Sequence, residues 1–312
     1  MPKVFIIIIN FNGWPDTREC LASLEKLDYD NFEVVLIDNG SRDGNRQSAI
    51  GSQQFKIRFI QNKENLGFAA GNNQGIKIAL EQNTDYVLFL NNDTTVKPDF
   101  LTKLVEAAQS DKKIGIVGSV IYHYGEPEKI QFAGGKVNWL RTRGEHLTVI
   151  NAPQPPLKLK PVPHLMREGG VGELYPVDYI TGCSLLAKRE VIEKIGFLNE
   201  DYFLYYEDVD WCLRAQKAGF DCVLASEAKI YHKQSSSAGE FSYPDIYYHT
   251  RNGLICGWRH GPKIFVLIQS VWIFLKQIVK IIIGYKRNWA RPVMKGIIDF
   301  WRGKREKLEG YY

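Results

Sequence analysis

The chain is poor in cysteine, and what it has is scattered. Cys20, Cys183, Cys212, Cys222 and Cys256 are odd in number and form no C-x-x-C pair, which argues against both a disulfide framework and a structural zinc site. A reducing cytoplasm is the simpler expectation. The amino terminus shows no charged n-region, apolar h-region and cleavage site, so no signal peptide is expected. The dinucleotide fingerprint G-x-G-x-x-G is missing after the first apolar run, and no G-x-x-x-x-G-K-[ST] phosphate loop occurs. No repeat of 20–50 residues is visible. Strong charge is missing too: the formal net charge is +5.

What is present describes a folded protein. Of 312 residues, 45% are hydrophobic and 24% charged, a globular composition long enough for one large α/β domain, with or without an appendage. The charge is unevenly spread. Residues 257–312 hold 12 Lys/Arg against 3 Asp/Glu, and the first 256 hold 28 against 32, so any argument from charge belongs to the tail.

Short apolar runs alternate with amphipathic stretches over the first 120 residues. Strands are predicted at Val4–Ile9, Val34–Ile37, Ile57–Ile60, Tyr86–Leu90 and Ile114–Val120. Helices are predicted after Pro15, over Ala69–Leu80 and over Pro98–Ala108. This alternation implies a mostly parallel sheet covered by helices on both faces. Residues 151–163 contain five prolines and read as a long loop. Order resumes at Tyr175–Ile180 and Ser184–Ala187, then a helix over Glu207–Ala218 with Gly219 as its stop. Two short strands are expected near Cys222–Leu224 and Lys229–Tyr231, and helical pattern continues from Tyr243 to the end.

Polar residues collect just after each of the first four strands: NFNG (10–13), DNGSRDG (38–44), NKENLGFAAGNN (62–73) and NNDTT (91–95). Each alone is a turn signal. Four in succession, at the strand ends where open α/β sheets bind ligands, favour a ligand site. Asp38 suits a ribose hydroxyl or base edge, and Asp93 a hard divalent cation that prefers oxygen ligands. A metal-bridged nucleoside diphosphate satisfies both.

A second cluster lies in GFLNEDYFLYYEDVDWCLRAQKAGF (196–220). Its aromatics crowd onto a helix whose first turn holds Glu207, Asp208 and Asp210. Acids there complement the helix dipole, which accounts for one or two of them, Asp210 in particular. Beside apolar rings, a carboxylate can also be raised toward the range useful for a general base. His232, at the end of a predicted strand in KIYHKQSSS, is positioned to reach the same sheet edge.

The ordered motifs NFN, IDNGSRDG, NLGFAAGNN, LFLNND and YYEDVDWCLR, followed by a later YH, closely resemble the family-2 inverting glycosyltransferases, and most nearly their rhamnosyltransferase-like branch. The resemblance covers about residues 1–255. It implies the GT-A fold, with a nucleotide-binding half and an acceptor-binding half. It implies that Asn10, Asn12 and Asp38 hold the nucleoside, and that Asn65, Gly67, Phe68 and Asn72 line the ribose, diphosphate or sugar. Asn91, Asn92 and Trp211 are counted with the substrate-binding residues. Asp93 occupies the family's D-x-D position and would bind Mg²⁺ or Mn²⁺ with His232, while Asp208 stands at the base position, preceded by Glu207. The donor would be dTDP-rhamnose or a UDP-sugar, and the acceptor a glycan or lipid-linked glycan of the bacterial surface. This sequence departs from D-x-D at Asn91, which offers a neutral carbonyl and removes one charge from the metal site.

Residues 256–312 read as a basic helical tail. Its apolar run 264–285 is interrupted by Gln269, Lys276, Gln277 and Lys280, which leaves runs short for a span of ~20 residues. With Trp258, Trp272, Trp289 and Trp301 nearby, the expectation is an interfacial helix on the cytoplasmic face of the inner membrane. The alternative is a hairpin buried on the catalytic domain or in a homodimer. Nucleic acid is not expected as a partner. Two other function classes compete: nucleotidyl transfer, disfavoured because NFNGWPD is neither Gly-rich nor basic, and a non-catalytic nucleotide-sugar-binding protein.

Overall fold

The computed structural model describes residues 1–43, 53–148, 172–233 and 242–311; the proline-rich loop expected at 151–163 lies outside them. Strand β1 (Val4–Asn10) is β-branched and apolar through Ile9, and apart from Ile9 its residues are buried. Such a run suits a strand covered on both faces, and each buried Ile or Val stabilises by ~1.5–3 kcal/mol. β2 (Phe32–Asp38) and β4 (Tyr86–Leu90) flank β1 in parallel, and β3 (Ile57–Gln61) extends the sheet beyond β2. Helices α1 (Trp14–Leu24), α2 (Gly67–Glu81) and α3 (Phe100–Ser110) make the connections, with the short β5 (Thr94–Val96) leading into α3. Helix α3 starts two residues after Pro98 because the chain first turns, Phe100 N–H donating to Lys97 O at 3.1 Å.

The second half converts the sheet from parallel to mixed. β11 (Ser184–Lys188) runs antiparallel between β4 and β6 (Ile114–His123), and β12 (Asp221–His232) is parallel to β6. The two short strands expected at Cys222–Leu224 and Lys229–Tyr231 are this one strand. A register shift between Ala225 and Lys229 breaks the apolar pattern without breaking the pairing, as a β-bulge does. β7 (Glu126–Phe132) edges β6, β10 (Leu174–Pro176) edges β12, and β8 (Gly135–Asn138) pairs β9 (Arg143–His146) in a separate hairpin. Of the strand expected over Tyr175–Ile180, residues past Pro176 keep only a bridge from Tyr179 to Gly135. These directions bring the carboxyl ends of β1, β2, β3, β4, β6 and β12 to one edge.

Helices α4 (Arg189–Ile195) and α5 (Glu207–Lys217) cover the sheet, and α6 (Tyr243–His260), α7 (Lys263–Ile282) and α8 (Arg287–Trp301) complete the chain. A division between residues 255 and 256 falls inside α6, whose Leu254, Ile255 and Cys256 are all buried. Helix α7 is inside out. Val266, Ser270 and Gln277 face the protein, whereas Leu267, Ile268, Val271, Trp272, Leu275, Val279 and Ile282 are exposed. Twenty residues span ~30 Å, so this uninterrupted helix is long and apolar enough to cross a membrane by length and composition. That corrects the expectation of runs too short to do so.

Candidate active site

The first wall of the cleft is a web of amides. Asn10, fully buried at the end of β1, donates from Nδ2 to Ser41 Oγ at 2.9 Å and accepts at Oδ1 from Thr17 Oγ1 at 2.9 Å. Asn12 adopts a left-handed φ of 54°, a conformation asparagine tolerates, and its Oδ1 accepts from Arg42 N–H at 2.8 Å. Asp38 accepts from Ser41 N–H at 3.0 Å. One residue on, Asn39 donates to Asn65 Oδ1 at 3.0 Å and to Gly67 O at 3.1 Å, while its Oδ1 accepts from Asn62 and from Leu66 N–H. Asn39 and Asn62 were not singled out from the sequence; their signal was their place in the same strand-end runs.

The loop after β3 is fixed by close approach. Gly67 has φ +86°, and a Cβ there would stand 2.4 Å from Phe203 O; only glycine fits. Asn65 Oδ1 accepts from Gly67 N–H at 2.8 Å, Phe68 N–H donates to Phe203 O at 2.8 Å, and Asn72 Nδ2 donates to Phe68 O at 3.0 Å.

After β4 the three residues diverge. Asn91 is partly exposed and its backbone O accepts from Thr94 Oγ1 at 2.7 Å. Asn92 turns inward, donating to Thr17 Oγ1 at 2.9 Å and to Asn10 Oδ1 and Gly13 O at 3.3 Å. These bonds from Nδ2 tie the end of β4 to α1. Asp93 faces His232, Oδ1 lying 3.1 Å from Nε2, because β5 and β12 pair with Thr94 opposite His232. His232 Nδ1–H donates to Gln131 Oε1 at 2.9 Å, which leaves Nε2 directed at a carboxylate, an arrangement that a proton or a cation stabilises. Burial opposes charge on His232, but Cys183 and Asp93 outweigh it and raise its pKa to about 11. Among the described residues no three His, Cys, Asp or Glu stand together as a complete ion site. One carboxylate and one imidazole therefore fit a divalent cation whose other ligands come from phosphate and water.

The opposite wall is the start of α5. Tyr205 and Tyr206 both adopt left-handed φ, 67° and 76°, a strained turn of the kind that clusters at functional sites. Asp208 follows, partly accessible, accepting from Gly182 N–H at Oδ2 and Val209 N–H at Oδ1, both at 2.8 Å. Gly182 in turn lies under Phe68, whose ring atoms would be 2.8 Å from a Cβ at that glycine. Phe68 and Asp208 thus meet across one residue. Desolvation pushes Asp208 above the ordinary carboxylate range, although the two amides pull the other way. Glu207 is pushed well above it, by burial first and then by Asp208, and its Oε2 has no hydrogen-bond partner among the described residues. Asp210 behaves differently. Burial would raise it, but His260 at 2.7 Å and Arg214 at 2.8 Å hold it below the usual value. It is a structural acid, as the helix-dipole reading expected.

Trp211 requires a correction. It is fully buried, donates from Nε1 to Gly196 O at 2.9 Å and packs against Phe89 at 5.4 Å. The indole anchors α5 to the sheet from behind and offers no face to a ligand. Two histidines outside the motifs border Asp208 closely enough to feel its charge: His146 on β9 and His249 on α6, the latter stacked on Tyr205 at 4.1 Å. Neither carries a spacing signal in the sequence.

An amide-lined wall, a carboxylate–imidazole pair and a carboxylate raised by burial suit group transfer, and comparison with known proteins identifies the family. Residues 5–196 match Glycosyl transferase family 2, and the chain belongs to that family. It is 25% identical over 310 residues to the low-salt glycan biosynthesis hexosyltransferase Agl10 of Haloferax volcanii, covering 97% of this chain and 92% of the relative. It is 26% identical over 283 residues to the N-acetylglucosaminyl-diphospho-decaprenol L-rhamnosyltransferase of Mycobacterium tuberculosis, covering 85% and 89%. Among solved structures it is similar to the mannosyltransferase PcManGT from Pyrobaculum calidifontis in complex with GDP-Man and Mn²⁺, with a TM-score of 0.59, 16% identity and coverage of 97% and 88%. The fold is GT-A.

Proposed function

We propose that the protein is an inverting, metal-assisted glycosyltransferase that moves a sugar from a nucleoside diphosphate donor, dTDP-rhamnose or a UDP-sugar, to an acceptor hydroxyl in surface-polysaccharide synthesis. The observation that carries this reading is that Asp208 bonds to Gly182 just before β11, while Asp93 faces His232 where β5 pairs β12, both at the edge where the parallel strands end.

Asn10, Asn12 and Asp38 hold the nucleoside, while Asn65, Gly67, Phe68 and Asn72 shape the wall toward diphosphate and sugar. Asp93 and His232 would hold Mg²⁺ or Mn²⁺, which as a Lewis acid stabilises charge on the departing diphosphate. The Asp208 carboxylate takes the acceptor proton as the acceptor oxygen bonds to the anomeric carbon. The bond from that carbon to the diphosphate oxygen breaks on the opposite face, its electron pair leaving with the nucleoside diphosphate. Desolvation suits Asp208 to this work, since a base is most effective with a pKa near the working pH. Glu207, buried beside it with its carboxyl pushed well above the usual range, positions the turn.

The inverted pattern of α7 supports a membrane surface as the tail's partner. Its exposed apolar stripe adjoins a groove of about 400 Å³ lined by Phe274, Leu275, Ile298 and Trp301, and Lys263, Lys276 and Lys280 lie on the same helix with Lys286 just beyond it. Apolar residues entering the interface and lysines near anionic headgroups act together there. On this reading the enzyme works at the cytoplasmic face of the membrane, within reach of a lipid-linked acceptor. A calorimetric screen of UDP, dTDP, GDP and their sugars with and without Mn²⁺ tests the reading. Binding of a nucleoside diphosphate that strengthens with Mn²⁺ supports it, and failure of every nucleotide to bind refutes it.

A further inference from the structure

The segment after α8 packs back on the domain through Leu308. Residues 304–311 leave α8 and return across α6 to the donor wall. Leu308 is buried with Phe203, Tyr247 and Tyr248 in a small apolar cluster separate from the main core. Its N–H donates to Tyr248 Oη at 2.7 Å, and Tyr311 stacks on Tyr243 at 5.1 Å. Arg251, fully buried, lies over the rings of Tyr247 and Tyr248 and donates from Nη1 to Glu306 O at 2.8 Å. A buried guanidinium is costly unless its donors are satisfied, so this carbonyl of the segment is part of what makes Arg251 tolerable.

From there two routes lead to the active site. Arg251 Nε donates to Asn252 Oδ1 at 2.9 Å, and Asn252 Nδ2 donates to the carbonyls of Leu204 and Tyr205 at 2.8 and 3.0 Å. Those carbonyls open the left-handed turn that presents Asp208. On the other route Lys307 reaches past the Phe203 ring and donates from Nζ to Asn65 O at 3.1 Å. Asn65 holds Gly67, and Phe68 holds Phe203 O.

We propose that residues 304–311 form a positioning strap for the reaction, with Lys307 fastening the donor loop 62–68 to the turn that carries the base. The inference rests on the donor reading of that loop. Lys307 adds a charged donor to a loop that otherwise rests on the amides of Asn39 and Asn65 and on the backbone bonds of Asn62 and Phe68, so its loss should loosen that loop while the Leu308 and Arg251 anchors keep the fold.

The test uses the full chain with Lys307→Met and Lys307→Arg. Hydrogen exchange of peptides covering 62–68 and 203–209 is measured beside calorimetric affinity for UDP and dTDP with Mn²⁺. Lys307→Met should speed exchange of 62–68 and weaken nucleotide binding, each by about three- to tenfold, the scale of one ordinary hydrogen bond at a partly exposed site. The melting temperature should hold, and Lys307→Arg should restore both readouts. Wild-type exchange and affinity in Lys307→Met overturn the proposal, as does a fall in melting temperature that Arg does not repair. If the wild-type chain binds neither UDP nor dTDP, the donor reading fails, while the exchange comparison still decides whether the strap orders the loop.

Discussion

Asp208 accepts the N–H of Gly182 at 2.8 Å, and Gly182 has no side chain because the ring of Phe68 occupies that space. On the proposed reading, the base is therefore aimed by a backbone amide at the point where Phe68 and the start of α5 meet. Asp208→Asn preserves the shape but cannot take a proton. It should lower turnover by about 10²- to 10⁴-fold with donor affinity within about twofold of wild type, measured by product release and calorimetry. Turnover near wild type would transfer the role to another group.

The neighbouring acid makes a stability prediction. Glu207 has its folded pKa raised well above the unfolded value, so the folded state binds its proton more tightly. Its effect on stability is absent below the unfolded pKa, near 4.5, and becomes increasingly unfavourable as pH rises from there toward the folded pKa. Glu207→Gln should raise the melting temperature at pH 7–8 by on the order of a few degrees, and the gain should vanish near pH 4. A gain independent of pH would show that Glu207 carries no extra proton when folded.

Loss of the cation pair should act on the donor. Asp93→Ala removes the carboxylate facing His232 and should abolish the Mn²⁺-dependent part of nucleotide binding, and chelator should reproduce that loss in the wild-type chain. With Asn91 in place of an acid, activity without metal should be low but measurable. Full activity in chelator would remove the metal from the mechanism.

The inside-out helix predicts salt-sensitive membrane attachment. Full chain should bind anionic liposomes at low salt and release as ionic strength rises, since the Debye length shrinks to about 8 Å at 0.15 M. Val271→Glu and Trp272→Glu, at positions 61% and 63% exposed, should abolish binding without altering nucleotide affinity. A chain that ignored liposomes and instead formed a stable dimer disrupted by these substitutions would assign the stripe to self-association.

The amino-terminal architecture was legible because β-branched runs of five to seven residues admit little else, and strands that alternate with helices run parallel. Their carboxyl ends then had to share an edge, which is why Asn10, Asp38, Asn65 and Asp93 were found together. Spacing says nothing of which way a side chain turns. Asn92 and Trp211 sit in the right motifs yet point into the protein, where one bonds to Thr17 and the other packs on Phe89. The bulge in β12 was invisible because an interrupted apolar pattern looks the same as a loop. Lys307 and Asn65 are 242 positions apart, and no local signal joins a lysine near the carboxyl end to an asparagine in a loop.

The pairing of β5 with β12 sets when the Asp93–His232 pair can exist, as well as where. Thr94 meets His232 only in one register, and a slip of a single residue would turn the imidazole to the other face. Closing so long an intervening stretch of chain is entropically costly and slow. As the polypeptide emerges during synthesis, β1 to β4 can order early, but the two ligands remain strangers until β12 has been made and seated beside β6. The nascent chain thus cannot bring Asp93 and His232 face to face until β12 is seated, and on the proposed reading it cannot grip a cation through both groups before then.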